Sequence, residues 1–187
     1  MDDAVELSKS VLVVVDVQLG FVVDRSRHVV PVIVDLVRRW QAAGGATVFT
    51  RYFNYPDSPF ERHVGWTAMH GAPETDIVPE LAGLASRATA VLDKTVYTAL
   101  TPEGLDLISK NGWTDLYVCG IATESCVLKT AVDAFEVGLT PWLIEDASSS
   151  TAGPAAHDAG ILVATRFIGR GQIIQSSQLP IPAATPA

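Results

Sequence analysis

Leu116-Tyr117-Val118-Cys119, followed by Gly120-Ile121-Ala122-Thr123-Glu124-Ser125-Cys126, is the stretch on which the fold turns. The first four residues are a short apolar run of the kind that forms a buried strand. A helical pattern begins at Cys126 and runs to about Val137, where Gly138 ends it. A strand that passes through a glycine into a helix is the repeating unit of a parallel sheet. A thiol in the first turn of such a helix meets the positive end of the helix dipole and several unpaired backbone N–H groups, and both favour thiolate. The same position suits a small packing residue, because free cysteines are among the most buried side chains. On this stretch alone the two readings stand level.

The same unit recurs on both sides. Upstream, Val11 to Val15 is a run rich in β-branched side chains, read as a central strand buried on both faces. Val29, Val32, Ile33, Leu36, Val37 and Trp40 then fall at helical spacing, with Pro31 in the first turn and Gly44 placed to end the helix. Further strands are read at 46–51 and 88–93, and Thr101-Pro102-Glu103 opens a helix that stops near Gly112. Downstream come a strand at 141–145, which Pro141 can only open, a helix at 154–167 and a short strand at 172–174. The expected fold is α/β: three layers, α/β/α, around a mostly parallel six-stranded sheet with Rossmann-like strand order. One domain spans the chain, with its core at about 10–175 and a Pro and Ala rich tail at 179–187 that is flexible or makes subunit contacts.

Composition limits the partners. A hydrophobic fraction of 48% with 18% charged residues fits a folded protein, and a net charge of -8 without a basic cluster excludes nucleic acid. Two cysteines are too few for a disulfide framework, which fits a reducing, cytoplasmic setting. The N-terminus is acidic and no apolar run approaches the length of a membrane span, so neither export nor membrane association is expected.

In a parallel sheet the C-terminal strand ends gather along one edge, where ligands of open α/β sheets bind. Asp16, Lys94 and Cys126 each follow such an end. Singly they read as a loop-bracing carboxylate, a surface lysine and a packing thiol. Together they form a base, a cation and a nucleophile: the carboxylate can take the thiol proton and return it to a leaving amine, while the ammonium holds it in place.

Three ordered motifs carry a resemblance. Val13-Val14-Val15-Asp16-Val17-Gln18, Asp93-Lys94, and Gly120-Ile121-Ala122-Thr123-Glu124-Ser125-Cys126-Val127 with Thr130, Ala131, Asp133 and Ala134 resemble the isochorismatase-like cysteine hydrolase superfamily over about residues 10–175. That group includes nicotinamidases and N-carbamoylsarcosine amidases. The resemblance implies a catalytic triad of Asp16 (acid and base), Lys94 (electrostatic partner) and Cys126 (nucleophile). It also implies a cis peptide between Ile121 and Ala122 and an oxyanion hole from the N–H groups of Ala122 and Cys126. The activity implied is hydrolysis of a C–N bond in a small amide through a thioester, with no cofactor, in a homo-oligomer (dimer or tetramer).

The chain departs from nicotinamidases at their metal site, which is built around an aspartate and histidines after the second strand. Here Tyr52 and Asn54 stand at the matching positions, and His63 and His70 lack a carboxylate partner, so no metal is expected. The region 52–71 reads as a long functional loop. Phe21, Tyr52, Phe53, Trp66 and Tyr97, with Thr123, are the candidate substrate contacts, and Arg51, Arg62 and Glu124 are candidates for selecting a charged substituent. Glu124 should also oppose thiolate formation at Cys126. His28 and His157 read as surface or capping residues, and Cys119 as packing. Two alternatives stay open: a catalytically silent binding member of the fold, and a hydrolase of a non-amide substrate. A nucleotide-binding protein is disfavoured, since no glycine-rich phosphate loop follows the first strand.

Overall fold

The Val11 to Val15 run lies at the centre of the sheet in the computed structural model, which describes residues 4–181. It forms β1 (Ser10–Val15), flanked by β2 (Ala46–Tyr52) and β4 (Asp115–Ile121); β3 (Ala90–Lys94) pairs with β2, and β5 (Thr140–Ser149) and β6 (Ile173–Ile174) extend the other side. All neighbouring pairs are parallel, in the order β3-β2-β1-β4-β5-β6. That is the doubly wound Rossmann order, with its switch point beside β1.

Alternation along β1 explains why both faces need cover. Leu12 and Val14 enter a core beneath α1 (Val30–Ala42) and α2 (Pro79–Ala85), while Val11, Val13 and Val15 enter a second core beneath α3 (Pro102–Asn111), α4 (Leu128–Glu136) and α5 (Pro154–Phe167). In α1 the helical spacing puts Val30, Ile33, Leu36, Val37 and Trp40 inside, each side chain contributing roughly 1.5–3 kcal/mol of burial. Cys119 belongs to the first core and Cys126 to the second, so the two thiols lie on opposite faces of the sheet. Thr101 caps α3 by accepting from the Gly104 N–H at 3.2 Å, and Gly112 ends it with φ 65°.

Several elements differ from the sequence reading, and β4 runs from Asp115 to Ile121 rather than over 116–119. Helix α2 is absent from that reading; Pro79 starts it and Leu81, Leu84 and Ala85 bury its inner side, but two short turns flanked by loops leave little period to detect. Strand β3 starts two residues later and includes Lys94. Strand β5 starts at Thr140 and continues through Asp146 to Ser149, where register slips against β4: Val118 pairs with Leu143 but Gly120 with Ser148. The extra residues form a bulge, and its carboxylate Asp146 is held by the Ser176 N–H at 2.7 Å and hydroxyl at 2.6 Å. At the tail, Leu179 is buried and the Val5 N–H donates to Pro180 O at 3.1 Å, so 179–181 are packed against the body. The rest of the expected tail, 182–187, lies outside the described residues.

Candidate active site

Three strand ends converge. Asp16 follows β1 with φ 50°, a left-handed conformation that turns its carboxylate back under the sheet edge. Its Oδ2 accepts from Lys94 Nζ at 2.6 Å and its Oδ1 from Thr50 Oγ1 at 2.6 Å; the same hydroxyl accepts from the Asp16 N–H at 3.2 Å. Lys94 Nζ also donates to Val96 O at 3.0 Å and Tyr97 O at 2.9 Å, so all three of its donors are used. Side-chain exposure is 1% for Lys94 and 0% for Asp16. A pair this deep persists only when both partners are hydrogen-bonded, which these are.

Cys126 is delivered by the turn after β4. Gly120 has φ 122°, and a Cβ there would lie 2.1 Å from Val15 O, so only glycine lets β4 pass β1 at this point. The Ile121–Ala122 peptide is cis. A turn of π-helix, Thr123–Val127, follows, and Ala122 O accepts from the Ser125 and Val127 N–H groups at 3.1 Å each but skips that of Cys126. Helix α5 presses on this turn from outside: a Cβ on Gly160 would lie 2.8 Å from Glu124 Cα.

The thiol is not poised as a free thiolate. Burial pushes the Cys126 pKa well above the usual thiol range, the Asp16 carboxylate pushes it further, and Lys94 and a hydrogen bond with Ser125 oppose the rise only in part. This corrects the expectation from the helix dipole. Desolvation of a thiol on a residue only 7% exposed outweighs a partial charge at the helix end. Nor is Glu124 the cause; its Oε1 accepts from Ser150 Oγ at 2.6 Å, a serine brought there by the extension of β5.

Above Cys126 lies a cavity of about 270 Å³. Of the candidate contacts Phe21, Tyr52, Trp66 and Tyr97 line it, joined by Phe60 and Thr151, and the π-helical turn Phe60–Val64 supplies one wall. The rings form one cluster: Tyr52 and Trp66 centroids are 5.6 Å apart, Phe60 and Tyr97 5.0 Å. Phe53 is not among them. Successive residues of an extended chain point to opposite sides, so Tyr52 faces in and Phe53 faces out, where the Arg51 guanidinium lies 5.2 Å from its ring centre. Thr123 is also outside the cavity, fully buried beneath the turn with its hydroxyl 2.8 Å from His157 Nδ1. Arg51 forms a two-pronged pair with Asp93, and Arg62 Nη1 lies 3.1 Å from Asp57 Oδ2, so of the three charge-selecting candidates only Glu124 reaches the cavity.

The Isochorismatase domain family matches residues 10–175. The chain belongs to the isochorismatase family. It is 28% identical over 176 residues to an uncharacterized isochorismatase family protein, YwoC, of Bacillus subtilis (strain 168), covering 90% of this chain and 92% of that one. It is 32% identical over 150 residues to the streptothricin hydrolase of Streptomyces noursei, covering 78% of this chain but only 56% of that protein. Among solved structures, the fold is shared with the nicotinamidase PncA of Bacillus subtilis (TM-score 0.74, 23% identity, 89% of this chain and 98% of that one). It is shared likewise with the N-carbamoylsarcosine amidase of Thermoplasma acidophilum (TM-score 0.75, 24% identity, 91% and 98%).

In this isochorismatase-family hydrolase the residues after β2 do not fit a metal. Asn54 Oδ1 accepts from Ser58 Oγ at 2.7 Å and the Tyr55 N–H at 3.0 Å, and its Nδ2 donates to Trp66 O at 3.1 Å, so the side chain organises the aromatic loop. His70 does have a carboxylate partner, contrary to the sequence reading: Nε2 is 2.9 Å from Glu61 Oε1. Among the described residues no three His, Cys, Asp or Glu side chains are grouped to hold a metal ion. No described helix is long and apolar enough to cross a membrane.

Three contributors to the site escape the sequence reading. Thr50 looks like any β-branched strand residue, Phe60 sits in a loop without period, and His157 reads as a helix-surface residue until the turn above it is placed. Gln18 had a signal, as a polar residue straight after a buried run: its Oε1 accepts from the Tyr52 N–H at 2.8 Å and its Nε2 donates to Tyr52 O at 3.0 Å and Thr75 O at 2.8 Å. These bonds lock the Asp16 loop to the end of β2.

Proposed function

We propose that this isochorismatase-family hydrolase cleaves the C–N bond of a small amide, with Cys126 as nucleophile and Asp16 as the group that moves protons. The observation that carries the reading is the position of Asp16. Its two oxygens are fixed by Lys94 and Thr50 beside a thiol whose proton is held on sulfur, so base and acid are paired before substrate arrives.

Asp16 takes the Cys126 proton as sulfur attacks the carbonyl carbon, forming a C–S bond while the carbonyl π pair moves to oxygen. The oxyanion is met by the Ala122 and Cys126 N–H groups, an arrangement worth on the order of 3 kcal/mol per donor in hydrolases. Collapse breaks the C–N bond, and Asp16 returns the proton to the departing amine. Water, deprotonated by Asp16, then attacks the thioester carbon, releases the acid and restores the thiol. Lys94 holds the Asp16 carboxylate in place through their 2.6 Å contact in both halves of the reaction. No cofactor enters.

The cavity volume of about 270 Å³ lies below the usual range of ligand pockets, which favours a small substrate. An amide rather than another bond is favoured by the relatives named for amide chemistry, the nicotinamidase and the N-carbamoylsarcosine amidase. The test is a screen of small amides, ureas and lactams for release of ammonia or amine, with Cys126→Ala as control. Release that depends on Cys126 is expected; release that survives in Cys126→Ala contradicts the mechanism.

A further inference from the structure

The cavity over Cys126 carries a charge pattern that its chemistry does not require. Lys94 lies below it with every donor committed, Arg51 and Arg62 are paired elsewhere, and Glu124 is the ionisable carboxylate in the lining. One Glu124 oxygen accepts from Ser150; the other, Oε2, is buried and has no donor. An unpartnered buried carboxylate oxygen leaves its desolvation uncompensated, and because Glu124 lines the cavity, a turn of its side chain would bring that oxygen to a ligand N–H⁺ group. The walls add to the preference. The rings of Phe21, Tyr52, Phe60, Trp66 and Tyr97 carry negative π-faces, and the clustering of such rings is how proteins hold ammonium groups. The site shows the effect within itself: Lys94 Nζ lies 5.6 Å from the centre of the Tyr52 ring. By formal charge Asp16 and Lys94 cancel, so Glu124 leaves the site with one negative charge and, among the described residues, no free cation.

We propose that the cavity selects amides bearing a positively charged nitrogen, held against the aromatic cluster with Glu124 as its counter-ion. The inference rests on reading this cavity as the substrate site, and it narrows the substrate class. Neutral amides of the same size bind more weakly, and carboxylate-bearing ones are repelled.

Binding to Cys126→Ala protein tests the inference apart from chemistry, using three probes of matched size: benzylamine, benzyl alcohol and benzoate, titrated calorimetrically at neutral pH. Benzylamine is expected to bind about tenfold tighter than benzyl alcohol, the ratio a charge-assisted hydrogen bond to Glu124 gives, with benzoate weakest. Adding Glu124→Gln should bring benzylamine down to the level of benzyl alcohol and leave benzyl alcohol unchanged. Benzyl alcohol or benzoate binding as tightly as benzylamine, no binding by any probe, or a preference that survives Glu124→Gln would each overturn the inference. Should that variant not fold, the order of the three probes still decides. A failed order alongside Cys126-dependent amide hydrolysis removes only the cation selectivity; the expected order without hydrolysis removes only the proposed reaction.

Discussion

Cys119 and Cys126 share one strand and turn, yet face opposite cores, and burial raises the pKa of both. Cys119 then feels only the further rise from the Asp146 carboxylate. Cys126 feels Asp16, which raises its pKa, together with Lys94 and Ser125, which lower it. Burial alone therefore makes an inert thiol. What separates a nucleophile from a packing residue here is an acceptor for the proton, itself held in place by a buried lysine.

The largest expected effect is on activity. Cys126→Ala should remove at least ~10⁴-fold of turnover in any amide assay that responds to this protein, while Cys119→Ala leaves turnover within about twofold, because a residue that only packs touches no transition state. Equal losses would erase the distinction between the thiols. Lys94→Met comes next. It strands the Asp16 carboxylate in the core, so urea unfolding should show a loss of about 3–5 kcal/mol, and it removes the cation that restrains the Cys126 pKa without touching Cys119. Gly160→Ala is smaller, since the new methyl would meet Glu124 Cα at 2.8 Å and the turn must shift. A loss of roughly 1–3 kcal/mol by thermal unfolding, with slower alkylation of Cys126 but not of Cys119, is expected.

The smallest effect is a slope with pH. A free thiol titrates near pH 9.0, and both thiols titrate higher in the folded protein, so above about pH 9 the unfolded chain sheds protons that the folded chain keeps. Stability from these groups is complete below pH 9 and falls as pH rises, by about 1.4 kcal/mol per pH unit for each thiol. Cys119→Ala should remove one thiol's share of that slope in denaturant titrations. Above pH 10 the buried tyrosines steepen it, Tyr117 being pushed up to about 12 by burial and Asp115.

What could be read from the chain follows the same division. The strand ends were legible because a buried apolar run that stops at Asp16 or Lys94 announces both the strand and the charge beyond it. The family membership follows from those ends and the Gly120 to Cys126 turn. The cavity wall was half legible: Phe21, Trp66 and Tyr97 reach it, but a loop without period gives no means of separating Tyr52 from Phe53, and Phe60 enters only through an irregular turn. Thr123 looks accessible beside the nucleophile, and only the packing of α5 shows that it turns to His157. The thiol's protonation escapes a sequence reading because a helix end is visible in sequence, whereas the depth of the sulfur is not.

Alkylation by iodoacetamide, itself a small amide, followed residue by residue by mass spectrometry from about pH 6 to about pH 10, tests the central claim most directly. The paired acceptor predicts that Cys126 is modified well ahead of Cys119 at every pH, and that this lead is lost in Asp16→Asn, which removes the acceptor. A Cys126 rate no faster than that of Cys119, or a lead over Cys119 that survives Asp16→Asn, would contradict it.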